Sequence, residues 1–428
     1  MLIRGALKYL PLMAIVVFAP SLRAQELTLA GAVQLALTRN ERSRLAGLNV
    51  ESADAAVAKA RAAFLPSVNF GGTETLRPSQ VELNNRVVGR TNAANGTLTL
   101  SQPLFAATAF PLYAGAKHNR EVARFDEIDQ RRQLSFDAAR AFFGVIAQQR
   151  LFSAARSRLE LAKATLDDTR ARAQAGLVST NDVTRAEIEW SMAQQSVSGA
   201  QSSLDQARLA LEYVINSPVR GELSGPQQSL SPGALQINQL IAKALAQRPD
   251  LVAARESVAA ASALADEPRL RFVPTLTASA QARAADQTIV GNRYIDTTAL
   301  ISLNWAIWDA GVRSADSDSR RATMDSAQLQ QQALMRRIET DVRTAVVELQ
   351  AAQSSLAAAT QAYDAARRSA DETNVLYKQG LAKAIELVDS NSSRFTAEVG
   401  MAAAQLALRQ AELDLRAALG LFPVNGAQ

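Results

Sequence analysis

The sequence predicts an α+β protein built from one unit used twice, each copy holding two β-strands and a long α-helical hairpin. The tetrapeptide Phe-Leu-Pro-Ser at 64–67 returns 208 positions later as Phe-Val-Pro-Thr at 272–275. The dipeptide Gly-Leu at 176–177 returns 204 positions later at 380–381. Strand and helix patterns follow in the same order around both pairs, and a unit repeated over most of a 428-residue chain indicates a duplication.

The duplication gives the predicted boundaries. We expect a first repeat at 25–216, a second repeat at 235–420, and a C-terminal tail at 421–428. Residues 217–234 between the repeats predict a linker, because they include three prolines and three glycines. Residues 1–24 have a basic start, a short apolar core and a small residue at Ala24. That pattern predicts a cleaved signal peptide and an exported protein, and the alternative is a short N-terminal anchor.

The first repeat begins with an alanine-rich helical pattern at 29–63, which Pro66 ends. Strands are predicted at about 67–76 and 96–105, and the polar stretch 77–94 between them predicts a loop.

A helical pattern of about 60 residues then runs from Tyr113 to Ala175, which is roughly 90 Å at the helical rise. Gly176 ends this helix, and Thr180 is a candidate cap for a second helix that ends near Ile215.

The second repeat follows the same order. A helical pattern at 240–270 ends before Pro274, strands are predicted at about 275–284 and 297–306, and a loop at 286–294. Helices are predicted at 312–379 and 384–419, with Gly380 at the turn between them.

The first of these two helices carries a 3-4 spacing of apolar residues, which is typical of coiled-coil packing. Its members are Val342, Ala345, Leu349, Ala352, Leu356, Ala359, Tyr363, Ala366, Ala370 and Tyr377.

Strands of about ten alternating residues have the length and the two faces of a membrane-spanning β-strand. Four strands are too few to close a barrel, and open edges are not tolerated in lipid. The sequence therefore predicts that other copies of the chain complete the barrel. The long helices are too polar for lipid and are expected to extend into an aqueous space.

In the order and type of these elements, the chain resembles the TolC-type outer-membrane efflux proteins, the outer membrane factors of tripartite efflux pumps and type I secretion systems. The resemblance covers nearly all of the predicted mature chain. It rests on the duplication, on prolines that precede strands, on two strand ends and on two hairpin tips. These residues are Pro66 and Pro274, 101–105 and 308–311, and Gly176 and Gly380.

The resemblance implies a homotrimer whose twelve-stranded β-barrel lies in outer-membrane lipid and continues as an α-helical barrel through the periplasm. It also implies a passive exit duct served by an inner-membrane transporter and a periplasmic adaptor. The exported substrate stays open.

Glu386 and Asp389 match the family's inward-facing acidic residues at the periplasmic constriction, near the hairpin tips at Gly176 and Gly380. Three residues apart, they share one face of a helix. A ring of six such carboxylates would favour cations. The alternative is a pair of acids that stabilise a helix start through its dipole.

Tyr377 and Asp182 match residues that, in the family, join neighbouring hairpins and hold the channel closed. The alternative for Tyr377 is plain packing, because it is also a heptad position. The chain has Ala382 where the family has an arginine, and the adjacent Lys383 does not reproduce the forked guanidinium geometry.

The sequence offers no basis for an enzyme. It has no cysteine and one histidine, His118, and we find no phosphate loop, serine elbow or spacing of metal ligands. We therefore predict no catalytic residues, no cofactor and no metal. The net charge of +5 is scattered along amphipathic stretches, so nucleic acid is not an expected partner. The alternative function is a periplasmic coiled-coil adaptor or structural protein.

Overall fold

The structure is a computed structural model that describes residues 27–83, 86–89, 91–225, 236–289 and 293–424. The predicted signal peptide lies outside the described residues. So do the second half of the predicted linker and the last four residues of the predicted tail.

Helices account for most of the described chain. The first half contributes α1 (Leu29–Arg39), α2 (Glu41–Ala62), α3 (Ala109–Gln174) and α4 (Thr180–Ile215). The second half contributes α5 (Ile237–Gln247), α6 (Pro249–Ala265), α7 (Glu267–Leu270), α8 (Val312–Lys378) and α9 (Ala384–Ala418). Each half therefore has a long hairpin, α3–α4 or α8–α9, whose longer arm spans about 100 Å.

The sequence predicted a single helix before the first strand of each half. This prediction is wrong, because the helix is interrupted in both halves. In the first half Asn40 adopts an extended conformation and its side chain caps α2 by accepting a hydrogen bond from the Arg42 amide. In the second half Arg248 is extended because Pro249 follows it. Asn40 and Arg248 lie 208 positions apart, so the two interruptions occupy equivalent places in the repeat.

The strands of the described residues form two sheets. They are β1 (Ser67–Leu76), β2 (Val81–Leu83), β3 (Arg86–Gly89), β4 (Asn92–Phe105), β5 (Thr275–Ile289) and β6 (Arg293–Asn304). The larger sheet is antiparallel in the order β1-β4-β5-β6, so the central pair joins the two halves. The four predicted strands are confirmed, and β2 and β3 form a separate hairpin.

The predicted loops at 77–94 and 286–294 are largely wrong. The first holds the β2–β3 hairpin and the start of β4, and most of the second belongs to β5 and β6. Polar residues led to both errors, because a strand without a buried face does not need apolar alternation to continue its hydrogen-bonded ladder.

Two large apolar clusters hold the helices together. One joins α1, α3, α4 and, through Leu413, α9 around the fully buried Phe142 and Leu211. The other joins α5, α6, α8 and α9 around Leu251, Ile338 and Val342. All ten predicted heptad positions of α8 are buried or half-buried, which confirms the coiled-coil packing. Within the described ranges, none of the helices combines the length and apolar character that crossing a membrane requires.

Candidate functional site

The four-stranded sheet has one apolar and one polar face. Pro66 and Pro274 lie one residue before β1 and β5, so both repeats start their first long strand in the same way. The register aligns an apolar row across all four strands, made of Val68, Leu100, Ala280 and Ala299. The next row is polar and consists of Asn69, Thr99, Gln281 and Thr298. Because neighbouring rows point to opposite faces, the sheet can separate lipid from water.

The apolar face is exposed in the protomer. Phe70 is 77% exposed, Val68 65% and Ile301 69%. The sheet is also open at both ends, since β1 and β6 each have one neighbour in this sheet among the described residues. An exposed apolar face and two unpaired edges together need lipid and further strands to cover them.

Both helical hairpins turn through the same motif. Gly176 and Gly380 adopt left-handed conformations, and the following leucine amides, of Leu177 and Leu381, each donate to a carbonyl five residues earlier at 2.9 Å. This is the Schellman C-cap, in which glycine takes the position that other residues enter only with strain. The two tips therefore have the same backbone conformation, and together they form one end of the molecule.

Glu386 and Asp389 lie in the first two turns of α9, just after the second tip, and both are exposed. Ala384 and Leu387, on the opposite face, are buried against Tyr377. Among the described residues, neither acid forms an ion pair. The arrangement leaves two free carboxylates on one exposed face beside the hairpin tip.

Tyr377 is buried at the end of α8 and contacts α3. Its hydroxyl lies 3.4 Å from the Thr169 hydroxyl, and either oxygen can be the donor in this long contact; the Thr169 hydroxyl also donates to the Thr165 carbonyl at 2.7 Å. Burial raises the pKa of the Tyr377 phenol, and the nearby Asp168 carboxylate raises it further. The tyrosine therefore stays neutral at physiological pH.

Asp182 is not the partner of Tyr377 in the protomer. It forms a capping box with Ser179, which donates to its carboxylate from the hydroxyl at 2.8 Å and from the backbone amide at 3.2 Å. Ser179 rather than the predicted Thr180 is therefore the cap of α4. Lys383 occupies the N-cap position of α9 and is exposed, without a side-chain cap hydrogen bond.

The sequence reasoning missed two arginines of α3 that lie over aromatic rings of the second hairpin. The guanidinium of Arg172 lies 4.3 Å from the centre of the Tyr377 ring, and that of Arg158 lies 4.7 Å from the centre of the Phe395 ring. A weak signal was available, since both arginines fall on the same heptad face of α3.

These features define a class of protein. A two-faced sheet open at both edges, joined to two helical hairpins of about 100 Å, is the protomer of a membrane channel with a long aqueous extension. The chain belongs to the outer membrane efflux protein family, whose model matches residues 32–217 and again residues 240–421. It is thus an outer-membrane exit duct for efflux or type I secretion, with its helical part in the periplasm.

Curated relatives and solved structures agree with this assignment. The chain is 23% identical to the outer membrane protein TolC of Escherichia coli over 405 residues, which cover 90% of this chain and 81% of TolC. It is 25% identical to the outer membrane efflux protein BepC of Brucella suis over 400 residues, which cover 91% and 82%. The fold matches the CmeC outer membrane channel of Campylobacter jejuni with a TM-score of 0.80 at 17% identity, covering 92% of this chain and 85% of CmeC.

Proposed function

We propose that three copies of this chain close their sheets into one twelve-stranded barrel and form a passive duct across the outer membrane. The duct receives its substrate from an inner-membrane transporter through a periplasmic adaptor. The observation that carries the proposal is the four-stranded sheet, with its exposed apolar face and its free edges at β1 and β6.

The number of copies follows from the size of a barrel. Two copies would give eight strands, a size whose interior is filled by side chains or holds one small ligand. Three copies give twelve strands and leave room for a water-filled lumen. The polar row at Asn69, Thr99, Gln281 and Thr298 supplies the wetted wall, and the row at Val68, Leu100, Ala280 and Ala299 contacts lipid.

We also propose that Glu386 and Asp389 line the periplasmic constriction of this duct, where the tips at Gly176 and Gly380 meet around the axis. The proposal is supported by the exposure of both acids and by their lack of ion pairs among the described residues. Six carboxylates around one opening attract cations and repel anions.

A matched pair of arginine substitutions tests the barrel. Leu100→Arg places a charge in the apolar row, where the cost of the charge rises with depth in the membrane to about 2–4 kcal/mol at the bilayer centre. Thr99→Arg places the same charge one residue away, in the row assigned to the lumen. We expect the Thr99→Arg variant to remain a heat-modifiable oligomer in the outer-membrane fraction. We expect the Leu100→Arg variant to form no such oligomer. Equal tolerance of the two substitutions would contradict the proposed faces. A wild-type protein recovered as a soluble periplasmic species would favour the adaptor.

A further inference from the structure

One row of residues on the polar face of the four-stranded sheet carries charge. The register aligns this row across β1, β4, β5 and β6 as Gly71, Thr97, Arg283 and Asp296. It lies two residues along each strand from the row at Asn69, so it points to the same face. The rows on its two sides are uncharged and consist of Asn69, Thr99, Gln281 and Thr298, and of Thr73, Asn95 and Ala285. The charges of this row therefore stand in an otherwise neutral part of the proposed lumen.

Arg283 is exposed, and among the described residues it forms no hydrogen bond or ion pair. Asp296 is its direct neighbour in the register, but its carboxylate accepts a hydrogen bond at 3.5 Å from the Thr298 hydroxyl of its own strand. An arginine carries its guanidinium at the end of a three-carbon stem, whereas an aspartate carries its carboxylate directly on Cβ. The positive charge of the row therefore extends farther from the sheet than the negative charge.

The other members of the row leave space in front of Arg283. Gly71 has no side chain, and no neighbouring atom lies within 4 Å of the position that a Cβ would take. Thr97, on the strand beside Arg283, has a short side chain. The acid of β5, Asp286, lies beyond Ala284, where the regular register with β6 ends. The guanidinium thus keeps its five N–H donors available to a ligand.

We infer that Arg283 forms an anion-binding subsite in the outer part of the lumen, which takes a phosphate or carboxylate group. The inference rests on the proposed duct, in which three copies bring three guanidinium groups to one height around the axis. Arg283 lies eight residues after Thr275, where β5 begins, which is about 26 Å along the strand from the helical part. The planar fork of a guanidinium matches the oxygens of phosphate and carboxylate groups.

This subsite acts independently of the acidic constriction proposed at Glu386 and Asp389. The sheet and the hairpin tips lie at opposite ends of helices that span about 100 Å. Charges are screened beyond about 8 Å at physiological ionic strength. An anion that the constriction repels can therefore still bind at Arg283 from the extracellular mouth of the duct.

Binding of inorganic tripolyphosphate to the purified full-length oligomer, measured by isothermal titration calorimetry, tests the subsite. One tripolyphosphate should bind per three chains, because three arginines share it. Arg283→Gln should weaken binding about tenfold or more, because the charged donors are lost. Asp296→Asn should strengthen binding, because it removes the neighbouring negative charge. Thr97→Arg combined with Arg283→Gln moves the guanidinium to the adjacent strand of the same row and should restore binding.

The matched control is Arg321→Gln, which removes the same charge from an exposed position of α8 and should leave binding unchanged. Current through planar bilayers gives a second readout. Tripolyphosphate on the extracellular side should reduce the current through the wild-type channel and not through Arg283→Gln. Block from that side alone would identify the ligand as a solute from outside, and block from the periplasmic side as well would identify it as a group carried by the cargo.

The outcomes separate the subsite from the duct. An assembled wild-type oligomer that binds no tripolyphosphate, or equal binding by Arg283→Gln and Arg321→Gln, would overturn the subsite and leave the duct standing. Loss of the oligomer in both Arg283→Gln and Asp296→Asn would show a structural ion pair and would also overturn the subsite. A wild-type chain that does not assemble would overturn the duct and the subsite together.

Discussion

Gly176 and Gly380 lie 204 positions apart and adopt nearly the same left-handed conformation, with φ angles of 73° and 78°. Each ends the longer arm of a hairpin, and neither has a neighbouring atom within 4 Å of the position that a Cβ would take. Space is therefore available at both tips, and the requirement for glycine comes from the backbone conformation alone.

Gly380→Ala should destabilise the helical part by about 1 kcal/mol, because alanine adopts a left-handed conformation only with strain. Gly400→Ala is the matched control. Gly400 lies within α9 with open space around it, so alanine should stabilise that helix by up to about 1 kcal/mol. Thermal unfolding followed by circular dichroism should show shifts of opposite sign. A stabilising effect at Gly380 would mean that the tip conformation is different.

Much of the fold follows from the sequence because local signals repeat. Pro66 and Pro274 correctly predicted where two strands begin. The heptads of α8 predicted a buried face, which the structure confirms. The interruption of each first helix was missed although Asn40 is a strong N-cap and Pro249 a strong helix start. A continuous alanine-rich pattern outweighed these single-residue signals.

The tip contacts were less accessible to sequence reasoning. The environment of Tyr377 depends on which residues of α3 lie beside it, and those residues are more than 200 positions away. A heptad pattern shows that a helix has a partner but not which residue stacks on which. The capping role of Asp182 was readable from the serine three residues before it.

Replacing both Glu386 and Asp389 with their amides, Glu386→Gln and Asp389→Asn, should reduce the cation preference of the channel. The substitutions remove up to six charges from the proposed constriction while side-chain size is nearly conserved. The measurement is the reversal potential in a salt gradient across a planar bilayer. Asp364→Asn, an exposed acid of α8 farther from the tip, is the control. An unchanged cation preference in the double variant would contradict the acidic ring.

Asp250 should make the packing of α6 against α8 dependent on pH. Arg248 donates two hydrogen bonds to Asp250, at 3.0 and 2.6 Å, and one to Asp341 of α8 at 3.1 Å. Burial by itself would raise the pKa of Asp250, but the Arg248 hydrogen bonds and charge outweigh it and lower the pKa. Because the folded pKa lies below the unfolded one, this stabilisation is present at neutral pH and is lost as the pH falls below about 4.

Asp250→Asn should therefore lower the free energy of unfolding by about 2 kcal/mol at pH 7, the size expected for hydrogen bonds to a charged group. The difference from wild type should shrink at pH 3, where the wild-type carboxyl gains a proton during unfolding. Thermal unfolding at the two pH values checks the sign, with Asp364→Asn as an exposed control. A difference that grows in acid would contradict the role assigned to Arg248.

The central claim is that β1 of one protomer pairs with β6 of the next. The chain contains no cysteine, so pairs of introduced cysteines report this contact without background. Residues 67, 69 and 71 of β1 can be combined with residues 298 and 302 of β6, all on the polar face, to sample the possible registers. Thr99→Cys with Gln281→Cys is the control, because these two residues are register partners within one protomer.

Disulfide cross-links are formed by oxidation and detected by denaturing electrophoresis. The account predicts that at least one β1–β6 pair gives covalent dimers and trimers and that the control pair leaves the protein at the mass of a monomer. Monomers alone from every β1–β6 pair, with the control disulfide formed, would contradict closure of the barrel by copies of this chain.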